Sequence, residues 1–192
     1  IVVRAYSAPL GKTTVCEKVA VTNCNLTSHP CAVRVGWIND GVMRNCTFSN
    51  LNITESRCAI GMYLPSNPAK ARMSDQGHEA TLIENISFSN ITIDRNYGTP
   101  IRIEIQPHNL CRAIRHVYFS GMRVFSAGMP VIMGREDRHI EHFSFNDCHF
   151  TQIGYEDIPT KFAERLEKLR YPLTAPTFRF VDDLHLNSTF FS

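Results

Sequence analysis

Four side chains occupy positions that favour contact with a polar ligand. Arg34, Tyr63, Arg102 and Glu104 are the polar members of short runs in which apolar and polar residues alternate. A guanidinium donates paired hydrogen bonds to carboxylates, and a tyrosine ring offers a flat apolar face. His29, just before the first run, could relay a proton near neutral pH. We predict that the first four bind a ligand and that His29 is the catalytic candidate.

A structural role is also open for each of these residues. Arg34 and Arg102 could be surface charges on a solvated strand, and an exposed pair of Arg102 with Glu104 would contribute little. Trp37, the single tryptophan, could line a ligand subsite or pack against a loop. For the two aspartates at 182–183 the sequence favours a turn over a reaction.

A repeat provides the elements that must position these residues. Copies of one phrase cover residues 42–53, 82–93, 114–124, 139–150 and 180–191, with a partial copy at 19–26. Apolar residues alternate with polar ones in each copy, which is the period of a half-buried strand. Superposing the copies stacks one apolar column inside the molecule, namely Leu26, Phe48, Phe88, Phe119, Phe145 and Leu186.

A second short strand follows the copies, at residues 32–35, 59–62, 100–103 and 130–133. Strands stacked in parallel about 4.8 Å apart would bury one continuous interior. The predicted fold is therefore all-β, a right-handed parallel β-helix (solenoid) that is truncated at its N-terminal side. An antiparallel β-sandwich would need tight hairpin turns, for which only Asp40-Gly41 qualifies.

The whole chain, 1–192, is predicted to be a single β-helix domain fragment. A Pro- and charge-rich stretch at 65–80 predicts a loop insertion, and 154–175 predicts a helical insertion. Within the latter, apolar residues spaced as on one helix face predict a short outer helix at 160–170. Because the chain opens directly on a strand-like run, Ile1-Val2-Val3, we expect upstream repeats to be missing.

The seven cysteines fall largely in the same columns as the apolar residues. Superposition predicts that Cys24 lies above Cys46 and that Cys31 lies above Cys58. We expect these cysteines to act as small apolar side chains in a buried column. Disulfides and metal ligation are the open alternatives. No CxxC pair points to zinc and no dense acidic cluster points to calcium. We predict no metal and no cofactor.

Composition narrows the range of partners. The net charge is +2 with 43% hydrophobic residues, which does not call for nucleic acid. No run of 18 apolar residues suggests a membrane span. The expected partner is a polysaccharide or oligosaccharide, with no nucleic acid and no membrane; the sequence does not settle the oligomeric state.

Three stretches carry a family resemblance. Residues 100–106 resemble a Pro-Ile-x-Ile-x-Gln motif, residues 1–4 resemble the strand that follows paired catalytic aspartates, and residues 175–184 are similar to a closing coil. Together they resemble the C-terminal part of glycoside hydrolase family 28, the polygalacturonase-like enzymes of the pectin-lyase-like superfamily. The resemblance implies inverting acid/base hydrolysis by carboxylates upstream of Ile1, and an extracellular or periplasmic location. The seven cysteines, as free thiols, would instead suit the cytoplasm.

The chain departs from that family at two motifs. The family's Gly-His-Gly element aligns with Ser28-His29-Pro30 of this chain. The family's Arg-Ile-Lys element aligns with Gly61-Met62-Tyr63, so both of its cations are missing here. These cations would hold an acidic sugar, so we predict no preference for polygalacturonate.

Two classes of function follow. We expect the full-length protein to be a glycosidase that cleaves O-glycosidic bonds in pectin-like or other plant polysaccharides, and residues 1–192 alone to be inactive. The alternatives are a non-catalytic polysaccharide-binding β-helix, of tailspike or adhesin type, and a polysaccharide lyase.

Overall fold

A computed structural model describes residues 1–7, 10–66, 80–154, 156 and 174–192, and this part of the chain is all-β with almost no helix. Its strands are β1 (Val2–Val3), β2 (Val15–Glu17), β3 (Ala20–Thr27), β4 (Val33–Val35), β5 (Val42–Thr54), β6 (Ile60–Leu64), β7 (Leu82–Asn96), β8 (Ile101–Ile105), β9 (Ala113–Ser126), β10 (Val131–Met133), β11 (Ile140–Gln152), β12 (Thr177–Arg179) and β13 (Val181–Phe191). The predicted helix at 160–170 and most of both predicted insertions lie outside the described residues. No helix in the described ranges has the length and apolar character that a membrane crossing requires.

The strands form two sheets that the chain visits alternately. The six-stranded sheet has the order β1-β4-β6-β8-β10-β12, and the seven-stranded sheet has the order β13-β11-β9-β7-β5-β2, with β3 also paired to β5. Every pairing between these strands is parallel. This confirms the predicted all-β class and parallel pairing, and the antiparallel sandwich is wrong.

The long strands bend at two corners where one residue takes a left-handed backbone conformation. In β5 these residues are Asn45 and Asn50, with φ of 56° and 54°, and in β7 they are Asn85 and Asn90, with φ of 54° and 52°. Asparagine tolerates this conformation because its short polar side chain bonds locally. The corner residues stack in register, since Asn85 Nδ2 donates to Asn45 Oδ1 at 2.7 Å. β7 has a third such residue near its end, Arg95, with a φ of 48°.

The predicted phenylalanine column is confirmed. Phe48, Phe88, Phe119 and Phe145 are fully buried and pair in register across β5, β7, β9 and β11. Their ring centroids are 4.8, 4.7 and 5.0 Å apart in sequence order. Burying each ring stabilises the fold by about 1.5–3 kcal/mol, which makes this stack the centre of the core.

The register predicted for the first copy is wrong. Cys24 pairs with Leu51 and Leu26 with Ile53, so Cys24 does not lie above Cys46, nor Leu26 above Phe48. The corner decides this register, because Asn50 Nδ2 donates to Asn23 Oδ1 at 3.1 Å.

The predicted alignment of β10 is also shifted by one residue. Val131 pairs with Arg102 and Ile132 with Ile103, whereas the sequence predicted Val131 beside Ile101. All three residues of β10 are apolar, so alternation could not choose the inward face, and a shift of one residue exchanges the two faces. Ile132 is the member that enters the core, with no exposed surface.

Candidate functional site

Two rows of side chains cross the outer face of the six-stranded sheet. The first joins Arg34, Gly61 and Arg102 on β4, β6 and β8, and the second joins Tyr63 to Glu104. The alternate residues of these strands point into the core and are buried. The sheet therefore brings together the four predicted binding residues, as the alternation indicated.

Arginine and aromatic side chains pair on this face. The Arg34 guanidinium lies 4.4 Å from the centroid of the Trp37 ring, and the Arg102 guanidinium lies 4.3 Å from that of Tyr63. The two rings meet edge to face at 6.0 Å. Each cation–π contact contributes about 0.5–1 kcal/mol at such half-exposed positions. We call these four residues and Glu104 the aromatic–arginine patch.

A glycine turn brings Trp37 into the patch. Gly36 has a φ of 81°, a left-handed conformation that ends β4, and its amide donates to the Val3 carbonyl at 2.9 Å. A Cβ at Gly36 would lie 2.8 Å from Ile83 Cδ1, the end of a side chain that can shift, so the left-handed φ is the main reason for glycine here. The Trp37 ring packs against Arg34 and Tyr63 within the patch, and a ligand-facing role for it stays a prediction.

Glu104 is the buried member of the patch. Its Oε2 accepts from Arg102 Nε at 2.7 Å, and its Oε1 accepts from Gln106 Nε2. The pairing of Arg102 with Glu104 that the sequence left open is present, but its carboxylate is buried: the Glu104 side chain is 7% exposed and that of Arg102 is 40% exposed. Because a buried carboxylate needs such partners, Glu104 fixes the direction of the Arg102 guanidinium.

His29 is held by a residue outside the patch. Its Nδ1 is 2.5 Å from Tyr97 Oη, and the same hydroxyl donates to the His29 carbonyl at 2.8 Å. Tyr97 is completely buried, and the two rings meet edge to face at 5.7 Å. This contact fixes the imidazole, and a role for His29 in a reaction stays a prediction.

Two thiols border the patch at Gly61. A Cβ at Gly61 would lie 3.0 Å from Cys31 Sγ and 3.5 Å from Cys58 Sγ. A hydrogen bond from Cys58, assisted by the positive charge of Arg34, lowers the pKa of Cys31 to about 7. The pKa of Cys58 is raised, because it donates that bond and is partly buried. All seven cysteines are free thiols.

A buried ion pair near β1 is a feature that the sequence did not indicate. Arg4 Nη2 lies 3.0 Å from Asp40 Oδ1, and the Asp40 side chain has no exposed surface. Burial raises the pKa of Asp40, although the hydrogen bond and charge of Arg4 oppose this. Asp40 was considered only as a turn residue before Gly41, and nothing local in the sequence distinguishes the two roles.

A second polar cluster lies on the outer face of the seven-stranded sheet. Asp183 accepts from His142 Nδ1 and from His185 Nε2, both at 2.6 Å, and these bonds lower its pKa, that from His142 most. The rings of His116 and His142 stack at 4.5 Å, beside a depression of about 390 Å³. The two aspartates predicted to form a turn lie within β13, where Asp183 takes the left-handed corner conformation with a φ of 53°.

The histidine cluster is poorly arranged for a metal ion. The His116 and His142 rings are 5° from parallel, so their in-plane lone pairs cannot converge on one ion. Among the described residues, no group of three or more His, Cys, Asp or Glu side chains could hold a metal.

Comparison of the chain with protein-family models, with curated proteins and with solved structures found no match.

Proposed function

We propose that the chain forms part of a right-handed parallel β-helix, a solenoid, whose six-stranded sheet binds a saccharide polymer on its outer face. The parallel, in-register stacking of both sheets and the repeated corners support this architecture. A linear polymer fits a linear stack of repeats, since successive sugars meet successive strands.

The aromatic–arginine patch carries the proposal. It combines two flat rings, which suit the apolar face of a sugar, with two guanidiniums, which donate to hydroxyls or carboxylates. Its residues come from three neighbouring strands and the turn after β4, so the patch extends across the strands in the stacking direction. A small-molecule site typically has apolar and aromatic side chains with a few polar groups among them, and the patch has this composition.

The proposed reaction is hydrolysis of O-glycosidic bonds in pectin-like or other plant polysaccharides, as in the family that the chain resembles. An inverting mechanism needs two carboxyl groups roughly 6.5–9.5 Å apart, one to protonate the leaving oxygen and one to activate water. Both oxygens of Glu104 already accept bonds from neighbours, so we assign Glu104 to substrate binding. The proposal places the catalytic carboxylates on repeats before Ile1.

The preferred substrate is proposed to be a neutral or rhamnose-containing saccharide. Polygalacturonate has a carboxylate on each sugar, and each needs a paired cation when it is partly buried. Glu104 offsets the charge of Arg102, while Gly61 and Tyr63 occupy the positions where the family has two cations. Equal or faster cleavage of polygalacturonate by the protein would contradict this preference.

Calorimetric titration with rhamnose-containing oligosaccharides tests the binding surface. Trp37→Ala and Tyr63→Ala should each weaken binding about tenfold or more, which corresponds to about 1.4 kcal/mol. Tyr118→Ala is the matched control, because Tyr118 is 39% exposed on the other sheet. Equal losses in the control and the patch variants would show that the patch is not the binding site.

A non-catalytic polysaccharide-binding β-helix is the second candidate. The occupied oxygens of Glu104 and the missing cations at residues 61–63 favour it. Release of reducing ends from a bound polymer distinguishes the two functions. Hydrolysis would support the glycosidase, and stable binding without release would support the non-catalytic protein.

A further inference from the structure

Cys31 and Cys58 occupy equivalent positions directly before two adjacent strands. The Ala32 amide donates to the Cys58 carbonyl at 3.1 Å, and the Val33 amide donates to that of Ala59 at 2.9 Å. The register of β4 and β6, which pairs Val33 with Ile60, therefore extends back to the two cysteines. Residues in register on neighbouring parallel strands lie about 4.8 Å apart, which is within the Cα separation that a disulfide spans, about 4.4–6.8 Å.

The absence of a side chain at Gly61 leaves the two sulfurs close together on the outer face. Both lie within 3.5 Å of the point where a Cβ would stand at residue 61. Cys31 is partly exposed there, whereas Cys46, Cys111 and Cys148 are buried. Cys58 is likewise partly exposed, so the pair places two sulfurs side by side on the outer face.

The two thiols differ in chemical state near neutral pH. In the structure Cys31 Sγ donates to the Val33 carbonyl at 3.1 Å and Cys58 Sγ to the Ile60 carbonyl at 3.3 Å. When Cys31 is ionised, the Cys58 thiol can instead donate to it, and this bond, with the positive charge of Arg34, lowers the pKa of Cys31 to about 7. Burial raises the pKa of Cys111 to about 12 and that of Cys148 to about 11. The thiolate is the nucleophile in sulfur chemistry, so at pH 7 Cys31 is far more reactive than these buried thiols.

We propose that Cys31 is a covalent modification site for soft electrophiles and for low-molecular-weight disulfides, with Cys58 as its resolving thiol. The Cys31 thiolate attacks one sulfur of the small disulfide, whose S–S bond breaks and releases one thiolate. Cys58 then loses its proton to solvent and attacks Cys31 Sγ, which forms the Cys31–Cys58 bond and releases the second thiolate. Overall, two protein thiols are oxidised, and one small disulfide is reduced to two thiols.

Alkylation with iodoacetamide at a series of pH values, followed by peptide mapping, tests the nucleophile. Cys31 should be labelled first among the seven cysteines, with a rate that rises to half its plateau near pH 7. Cys58→Ala removes the hydrogen-bond donor and should move the midpoint towards the ordinary value of about 8.5. Cys58→Ser keeps a donor and should restore part of the shift. Preferential labelling of Cys16 or Cys24, or a midpoint that Cys58→Ala leaves unchanged, would overturn the proposal.

Incubation with glutathione disulfide tests the resolving step. The unaltered chain should lose the mass of two hydrogens and retain no glutathione, whereas Cys58→Ala should accumulate the mixed disulfide on Cys31. A stable mixed disulfide in the unaltered chain would overturn the role of Cys58, and no reaction at Cys31 would overturn the site itself. Because the assay measures sulfur chemistry alone, its failure would leave the proposed saccharide binding untouched.

Discussion

At the scale of single residues, Arg102 holds the patch together because it contacts two partners at once. Its guanidinium lies over the Tyr63 ring while its Nε donates to Glu104. At 40% exposure the same side chain still reaches solvent and can bind a third partner. An arginine held in advance loses less side-chain freedom on binding, which favours affinity.

The buried Arg4–Asp40 pair predicts that removal of Arg4 destabilises the protein by an amount that depends on pH. Arg4→Gln leaves a buried carboxylate without its cation and should lower the free energy of unfolding by about 3 kcal/mol at pH 7. The double variant Arg4→Gln/Asp40→Asn, which has no buried charge, should recover part of that loss. Urea denaturation of both variants measures the difference.

Acid should reduce the difference between the two variants. Burial raises the pKa of folded Asp40, so the folded state binds the proton more tightly than the unfolded chain does. Stability is therefore gained as the pH falls through that raised pKa, and neutral Asp40 then resembles asparagine. A difference that stays constant from pH 7 to pH 3 would show that Asp40 does not carry a buried charge.

At the scale of the strand, the left-handed corners determine which residues pair. Asn45 and Asn85 stack at one corner, and His116, His142 and Asp183 continue the same column on β9, β11 and β13. An ordinary residue in this conformation costs roughly 1–2 kcal/mol. The corners therefore favour asparagine, aspartate, histidine and glycine, whichever sheet face the neighbouring residues occupy.

Substitution at one corner separates backbone strain from side-chain bonding. Asn85→Ala should destabilise the protein by about 1–2 kcal/mol, because alanine is strained at a φ of 54° and breaks the bond to Asn45. Asn85→Gly should cost less, since glycine adopts this φ freely. Ser87→Ala, two residues further along β7, is the control and should stay within about 0.5 kcal/mol. Equal losses for alanine and glycine, measured by chemical denaturation, would mean that strain plays no part.

Asp183 connects two strands, and its removal should have a local effect. It accepts from His142 on β11 and from His185 on β13. Asp183→Asn should speed amide hydrogen exchange in β13 and leave β5 unchanged. Because these bonds lower the pKa of Asp183, its contribution is present above the unfolded value and is lost as the pH falls through the lowered one. Faster exchange in β5 would contradict a local role.

The sequence alone predicts which face of a strand a residue occupies better than it predicts strand register or contacts between distant residues. Alternation placed Phe48 and Phe88 in the core and Arg34 and Tyr63 on the outer face, because the strand period fixes the face. It failed at Cys24, where two registers keep the same apolar pattern, and at β10, where every residue is apolar. The contacts of Trp37 depend on a turn, and those of Asp40 on a distant arginine, so neither has a local signal.

At the scale of the whole molecule, residues 1–192 on their own should be most stable in the middle of the stack and less stable at the strands that have a single neighbour. β7 is paired on both sides, with β5 and β9, whereas β1 and β12 each pair with one strand in the six-stranded sheet. In a stack of repeats each unit is stabilised chiefly by its neighbours. Amide exchange should therefore be slowest in β7 and fastest in β1 and β12. Uniform protection across the strands would indicate a single cooperative unit.

The parallel stacking also has a mechanical consequence. Since each repeat bonds only to the repeats beside it, tension on the chain should detach repeats one after another. Val117 and its partner Phe143 are 26 residues apart, and Phe143 and Leu184 are 41 residues apart. A stretched chain spans about 3.3–3.6 Å per residue, so each rupture should lengthen the molecule by roughly 90 to 150 Å. An optical trap would record these ruptures as a series of stepwise increases in extension, with lengths that follow the spacing of the repeats.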